Sequence, residues 1–133
     1  MKKILLINPH ETEQLEFSNP PLGLLYLAGA LIHHGFNVRL VDGCLDGKEA
    51  IARAIEEFRP AMVGITCLTP GRKKALEVAK MVKDNDSSTT VVLGGVHPTI
   101  MYRQMLEHYS DIDFIVIGRS EERRVGKECR SRW

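Results

Sequence analysis

The sequence predicts an α/β domain in which a doubly wound, five-stranded parallel sheet carries helices on both faces. Three observations lead there. Short, unbroken apolar runs recur along the chain. A segment of helical periodicity separates each run from the next, and glycine or proline marks most of the junctions. Strict strand–helix alternation calls for crossover connections, which make neighbouring strands parallel.

The elements follow in order. Lys3–Ile7 is an Ile/Leu run of the kind found in strands buried on both faces. A polar loop, Asn8–Asn19, leads to Pro20-Pro21, where proline suits the first turn of a helix. Leu24, Leu27, Ala28 and Leu31 form that helix's inner stripe, and Gly35 stands where a C-terminal cap glycine belongs. Val38–Val41 is the second strand, ending at Asp42, and Asp46 is placed to cap the next helix. Ile51, Ala54, Ile55 and Phe58 are its stripe, and Pro60 stops it. Met62–Thr66 is the third strand. Thr69-Pro70-Gly71 turns into a third helix with Ala75, Val78, Ala79 and Val82 inward. Thr90–Leu93 is the fourth strand, Pro98–His108 the fourth helix, and Asp113–Ile117 the fifth strand, followed by Gly118.

The 133 residues fit one domain, and 44% hydrophobic content suffices for a core. A net charge of +1 gives no field to draw nucleic acid. No apolar run approaches the roughly 20 residues of a membrane helix. The apolar run after Met1-Lys2-Lys3 ends at Asn8-Pro9, too soon for a secretory leader, so the expected location is the cytoplasm. Cys44, Cys67 and Cys129 are widely spaced, which speaks against a disulfide framework or zinc site. The stretch from Arg119 to Trp133 holds six basic and three acidic residues, a net of +3, and shows no apolar period. It reads as a basic tail of non-native character, translated cloning or adapter sequence, after a natural domain spanning residues 1–118.

In open parallel sheets a ligand lies beyond the carboxyl ends of the strands, where strand order reverses. The candidate site is therefore the loops after each strand. Gly94-Gly95 lets the backbone approach a ligand, or makes a tight turn. Thr66-Cys67-Leu68, with Thr69 beyond, offers a hydroxyl at the ligand edge, or a threonine bonded to its own backbone. Pro21-Leu22-Gly23-Leu24 opens a helix with bare N–H groups that favour an anion.

Taken together, Asn19-Pro20-Pro21-Leu22-Gly23-Leu24-Leu25-Tyr26-Leu27-Ala28, Gly35-Phe36-x-Val38, Asp42, Val63-Gly64-Ile65-Thr66, Leu93-Gly94-Gly95-Val96-His97-Pro98-Thr99 and Ile115-Val116-Ile117-Gly118 resemble a known family. It is the N-terminal cobalamin (B12)-binding domain of class B radical S-adenosylmethionine (SAM) enzymes. The resemblance covers about residues 2–118. It implies a flavodoxin-like (Rossmann-like) fold holding cobalamin with its nucleotide tail beside the sheet. Thr66 and Leu68 would meet the dimethylbenzimidazole, with Cys67 and Thr69 alongside. Gly94 and Gly95 would let the tail pass. Asn8, Pro9, His10 and the Leu22–Leu24 helix start, with Pro21 before it, would face the lower side of the corrin. Asp42, His97, Pro98 and Gly118 complete the expected cofactor-binding set.

Departures from related patterns sharpen this expectation. Methionine-synthase-type domains place Asp-x-His-x-x-Gly after the first strand, the histidine ligating cobalt. Here the string is Asn8-Pro9-His10-Glu11-Thr12-Glu13. His10 reads as a solvated loop residue, and the cobalt is expected base-off and His-off. A Cys-x3-Cys-x2-Cys motif is absent, so a 4Fe-4S cluster and SAM would belong to a radical SAM domain in cis. That parent enzyme would transfer a methyl group or rearrange a carbon skeleton. His33-His34 suits a helix end, and Arg72-Lys73-Lys74 reads as a solvated first turn with phosphate contact as the other use. A phosphoryl-accepting receiver would need acidic residues where Asn8 and Thr66 stand, and GxxxxGK[ST] and GxGxxG are both missing. The readings left beside cobalamin are another nucleotide-type ligand, or a docking scaffold that binds no ligand.

Overall fold

In the computed structural model, residues 2–9 and 21–118 are described. Five strands, β1 (Lys3–Asn8), β2 (Asn37–Asp42), β3 (Met62–Thr66), β4 (Thr90–Gly94) and β5 (Phe114–Ile115), form one parallel sheet in the order β2-β1-β3-β4-β5. This is the flavodoxin-like order, with its switch point between β1 and β3. The expected doubly wound α/β fold is present. Helices α1 (Leu22–His33), α2 (Gly43–Phe58), α3 (Arg72–Asn85) and α4 (Val96–His108) connect the strands.

Side-chain alternation divides the sheet into two unequal faces. Leu5, Ile7, Val63, Ile65, Val91, Leu93 and Ile115 face α2, α3 and α4 and form the main core. The predicted helix stripes meet them: Ile51, Ala54, Ile55 and Phe58 from α2, and Ala75, Val78, Ala79 and Val82 from α3, are all buried. Each large side chain so buried contributes about 1.5–3 kcal/mol. On the other face Ile4 and Leu6 pack on Leu24, with Leu27, Ala28 and Leu31 of α1 half-buried around them.

Local chemistry explains the boundaries. Pro21 occupies the N-cap of α1, so the helix begins one residue beyond the expected Pro20-Pro21 opening, at Leu22. Gly35 (φ +87°) ends it. The N–H of Gly35 donates to Ile32 and that of Phe36 to Leu31, the paired bonds of a Schellman cap. The expected cap at Asp46 is corrected: α2 starts at Gly43, capped by Asp42, whose carboxylate accepts from the Cys44 N–H at 3.0 Å. Asp46 lies within its first turn, before a break at Gly47 (φ +82°). Arg59, left-handed at φ 50°, closes α2 ahead of Pro60. Helix α4 begins two residues before Pro98. Strand β5 is shorter than the expected Asp113–Ile117, and just before it the Asp113 carboxylate takes the Val91 N–H (2.8 Å) and the Lys83 ammonium (2.7 Å).

Candidate functional site at the carboxyl edge

The strand exits form two tied groups, one on each side of the switch point. In the first, Asn8 and Asp42 end β1 and β2 side by side. The Asn8 side-chain amide donates to the Asp42 carboxylate at 3.0 Å, and both residues are buried. Backbones also close in here: a Cβ on Gly43 would fall 2.7 Å from the Asn8 carbonyl oxygen. Only glycine fits, a constraint invisible in the sequence pattern. Asn8 and Asp42 are therefore placed to hold the loop base, and Pro9 is buried beside them.

The second group joins β3 and β4. The Cys67 N–H donates to the Gly94 carbonyl at 2.8 Å, and the His97 N–H to the Cys67 carbonyl at 3.3 Å. Gly95 has φ +113°, and a Cβ there would lie 2.7 Å from the Cys67 carbonyl oxygen. Glycine is required on both counts. The imidazole Nδ1 of His97 lies 3.2 Å from the Thr69 hydroxyl, tying the two loops from outside. Arg72 reaches back to donate to the Thr69 carbonyl at 2.9 Å.

The sequence-predicted residues thus separate by placement. Register puts Asn8, Asp42, Thr66 and Gly94 on the face that carries α1. Thr66 and Gly94 remain partly open there, and among the described residues a Cβ on Gly94 would find only Val116, 4.0 Å away. Leu22 and Leu68 are exposed at the same edge, as is Val96, while no described residue lies within 4 Å of a Cβ position on Gly23 or Gly118. Cys67 points the other way, into the main core, where burial pushes its thiol up to about 11 against a weaker opposing pull from Arg72. Leu24 is buried where α1 packs on Ile4 and Leu6, and Pro98 is buried at the start of α4. His10 lies outside the described residues, as do the polar loop around it and the basic tail.

Glycine 43 and Thr99 are edge residues that the sequence reading did not single out. Thr99 is legible only as part of the His97-Pro98-Thr99 string, since its role depends on Gly118, far along the chain. At the amino end of the strands a cavity of about 740 Å³ opens among Lys83, Thr90, His108, Asp113 and Phe114. Its central ion pair, Lys83–Asp113, already serves the backbone of Thr89 and Val91, so this end holds structure together. Among the described residues no cluster of His, Cys, Asp and Glu could hold a metal ion, and no helix is long and apolar enough to cross a membrane.

The fold and this edge define a class: a doubly wound domain with a glycine-floored, apolar-rimmed shelf beside its switch point. Comparison with known proteins narrows the class. Residues 12–126 match the family model described as B12 binding domain, and the chain belongs to that family. It is 33% identical over 126 residues to the anaerobic magnesium-protoporphyrin IX monomethyl ester cyclase of Cereibacter sphaeroides, covering 90% of this chain and 21% of the cyclase. It is 33% identical to an uncharacterized methyltransferase of Pyrococcus horikoshii, covering 91% of this chain and 27% of that protein. The chain therefore spans about a quarter or less of these relatives.

Among solved structures, the radical SAM methyltransferase TsrM of Kitasatospora setae, with cobalamin and a [4Fe-4S] cluster bound, superposes with a TM-score of 0.72. Identity is 24%, over 87% of this chain and 22% of that one. The cobalamin-dependent SAM radical enzyme OxsB, with aqua-cobalamin and SAM bound, gives a TM-score of 0.81 at 19% identity, over 91% of this chain and 17% of that one. At these identities the likeness establishes the shared flavodoxin-like fold.

Proposed function

We propose that this chain is the cobalamin-binding module of a larger B12-dependent radical SAM enzyme. Membership of the B12 binding domain family supports the cofactor. The observation that carries the site is the shelf itself. At the carboxyl ends of β3 and β4, on the face carrying α1, the floor is Thr66 paired with Gly94, with Gly64 two residues back along β3 beside Val92. A planar group lies flat against such a floor, where larger side chains would hold it off.

The residues fit the group in parts. Gly94 and Gly95 give the nucleotide tail its passage. The Thr66 hydroxyl donates to the tail's ring nitrogen or phosphate, and Leu68 covers its apolar edge. Pro21, Leu22 and Gly23 present an apolar helix start to the corrin. When bound, cobalamin supplies an organometallic group-transfer centre, and the protein positions it and controls its axial face. The cobalt is base-off and His-off in this reading, with His10 unligated. The 4Fe-4S cluster and SAM sit on a domain in cis, and the whole enzyme transfers a methyl group or rearranges a carbon skeleton. The setting is the cytoplasm, with neither nucleic acid nor membrane as partner. Residues 1–118 make up the cofactor domain.

Titrating the full chain with hydroxocobalamin, followed by visible absorbance and gel filtration, tests the reading. The expected result is corrin that co-elutes with a base-off spectrum, unchanged by His10→Ala and lost in Gly94→Val. A folded chain that carries no corrin would sink the proposal, and a spectrum altered by His10→Ala would restore the ligand histidine.

A further inference from the structure

The exits of β4 and β5 are joined by one hydroxyl. Thr99 Oγ1 donates to the Gly95 carbonyl at 2.7 Å and accepts from the Gly118 N–H at 3.0 Å. One proton and one lone pair are thereby engaged. The Thr99 backbone N–H reaches the same Gly95 carbonyl at 3.2 Å. A threonine in a first helical turn commonly bonds a carbonyl four residues back, which accounts for Gly95 alone. The bond from Gly118, on another strand's exit, is the unusual one.

The two turns so joined are both left-handed glycines, Gly95 at φ +113° and Gly118 at φ +81°. Their anchoring differs. Gly95 is wedged against the Cys67 backbone, but among the described residues nothing lies within 4 Å of a Cβ position on Gly118. Gly118 is exposed, and no described residue packs at that position. The Thr99 hydroxyl is thus a specific tether between a fixed turn and an open one. Val116 precedes Gly118 by two residues, its N–H donates to the Leu93 carbonyl at 2.9 Å, and among the described residues its side chain is the nearest to a Cβ position on Gly94. Where the β5 exit stands therefore decides how wide the shelf is above Gly94.

We infer that Thr99 is a positioning residue of the cofactor shelf: its hydroxyl fixes the β5 exit at Gly118 against the β4 exit at Gly95. This rests on the reading that cobalamin occupies the shelf. Thr99 need not touch the cofactor. It presets the wall, so that binding does not have to order it.

The test uses the full chain as wild type, Thr99→Val, Thr99→Ser and Thr99→Ala. Far-UV circular dichroism checks the fold, NMR-detected exchange follows the Gly118 amide, and hydroxocobalamin titration gives Kd. Thr99→Val keeps the volume and removes the hydroxyl, and Thr99→Ala replaces it should the buried methyl disturb folding. Losing one or two ordinary hydrogen bonds predicts a Kd about five- to tenfold higher. The Gly118 amide should exchange several times faster, and Thr99→Ser should restore both values. Wild-type affinity in the hydroxyl-free variants, unchanged Gly118 exchange, or a serine variant as weak as valine would each overturn the inference. Failure of the wild type to bind hydroxocobalamin would overturn the cofactor reading instead, and Gly118 exchange would then still report whether the tether exists.

Discussion

The two faces of strands β3, β4 and β5 share a backbone and differ in almost everything else. On one face Val63, Ile65, Val91, Leu93 and Ile115 are at most 2% exposed under α2, α3 and α4. On the other, Met62, Gly64, Thr66, Thr90, Val92, Gly94 and Phe114 include no buried residue. Helix α1 covers that side only over β1 and β2, through Ile4, Leu6, Val38 and Leu40. The closed face is filled with branched aliphatics and supplies stability. The open face mixes glycine and threonine with a few apolar residues and leaves room for a ligand.

The comparison is sharpest in substitutions on neighbouring positions. Leu93→Ala on the closed face should cost about 2–5 kcal/mol in urea unfolding, a cavity in a packed core. Val92→Ala, one residue back on the open face, should cost under about 1 kcal/mol. Equal losses would show that the open face is covered in solution.

Cys67 marks the closed side of the site chemically. Its native thiol titrates at about 11 against an ordinary 9.0, so it stays protonated where an unfolded thiol would ionise. Its contribution is full below about pH 9 and lost as pH rises towards about 11, amounting to at most about 3 kcal/mol. The stability difference between wild type and Cys67→Ala, followed across that pH range, should shrink by that order. A difference independent of pH would mean that the thiol is open to water.

The adjacent glycines divide in the same manner. Gly95→Ala should lose about 1–3 kcal/mol, because the new Cβ meets the Cys67 backbone and the positive φ is strained. Gly94→Ala should change stability by less than about 1 kcal/mol and weaken hydroxocobalamin binding. Were Gly94→Ala to cost as much as Gly95→Ala, the shelf would be a packed surface.

Much of the closed face was legible in advance, because a single period of burial writes it. The α2 and α3 stripes and the span of β3 followed from apolar spacing, and the Gly35 cap from its position behind Leu31. What escaped depends on a second segment. Asp42 and Asp46 both suit an N-cap, and the Cys44 N–H chose Asp42. The apolar pattern extends the fifth strand over Asp113–Ile117 and gives no sign that the Asp113 carboxylate takes the Val91 N–H. Gly43 matters only because the Asn8 backbone passes beside it. At the edge, the motif strings pointed to Thr66, Gly94 and Gly95, yet alternation in the sequence could not separate an outward Thr66 from an inward Cys67 until the register with β4 was known.

The strand order also sets a timetable for the nascent chain. Strand β1 is the second in the sheet by position and the first to be made, and its neighbours β2 and β3 begin at Asn37 and Met62. At about 5–20 residues per second, the ribosome takes several seconds to deliver both. Until β3 is made, Ile4-Leu5-Leu6-Ile7 lacks a ladder on at least one side. Lys2 and Lys3, both exposed in the finished fold, stand directly before this run as charged gatekeepers against premature pairing with another chain.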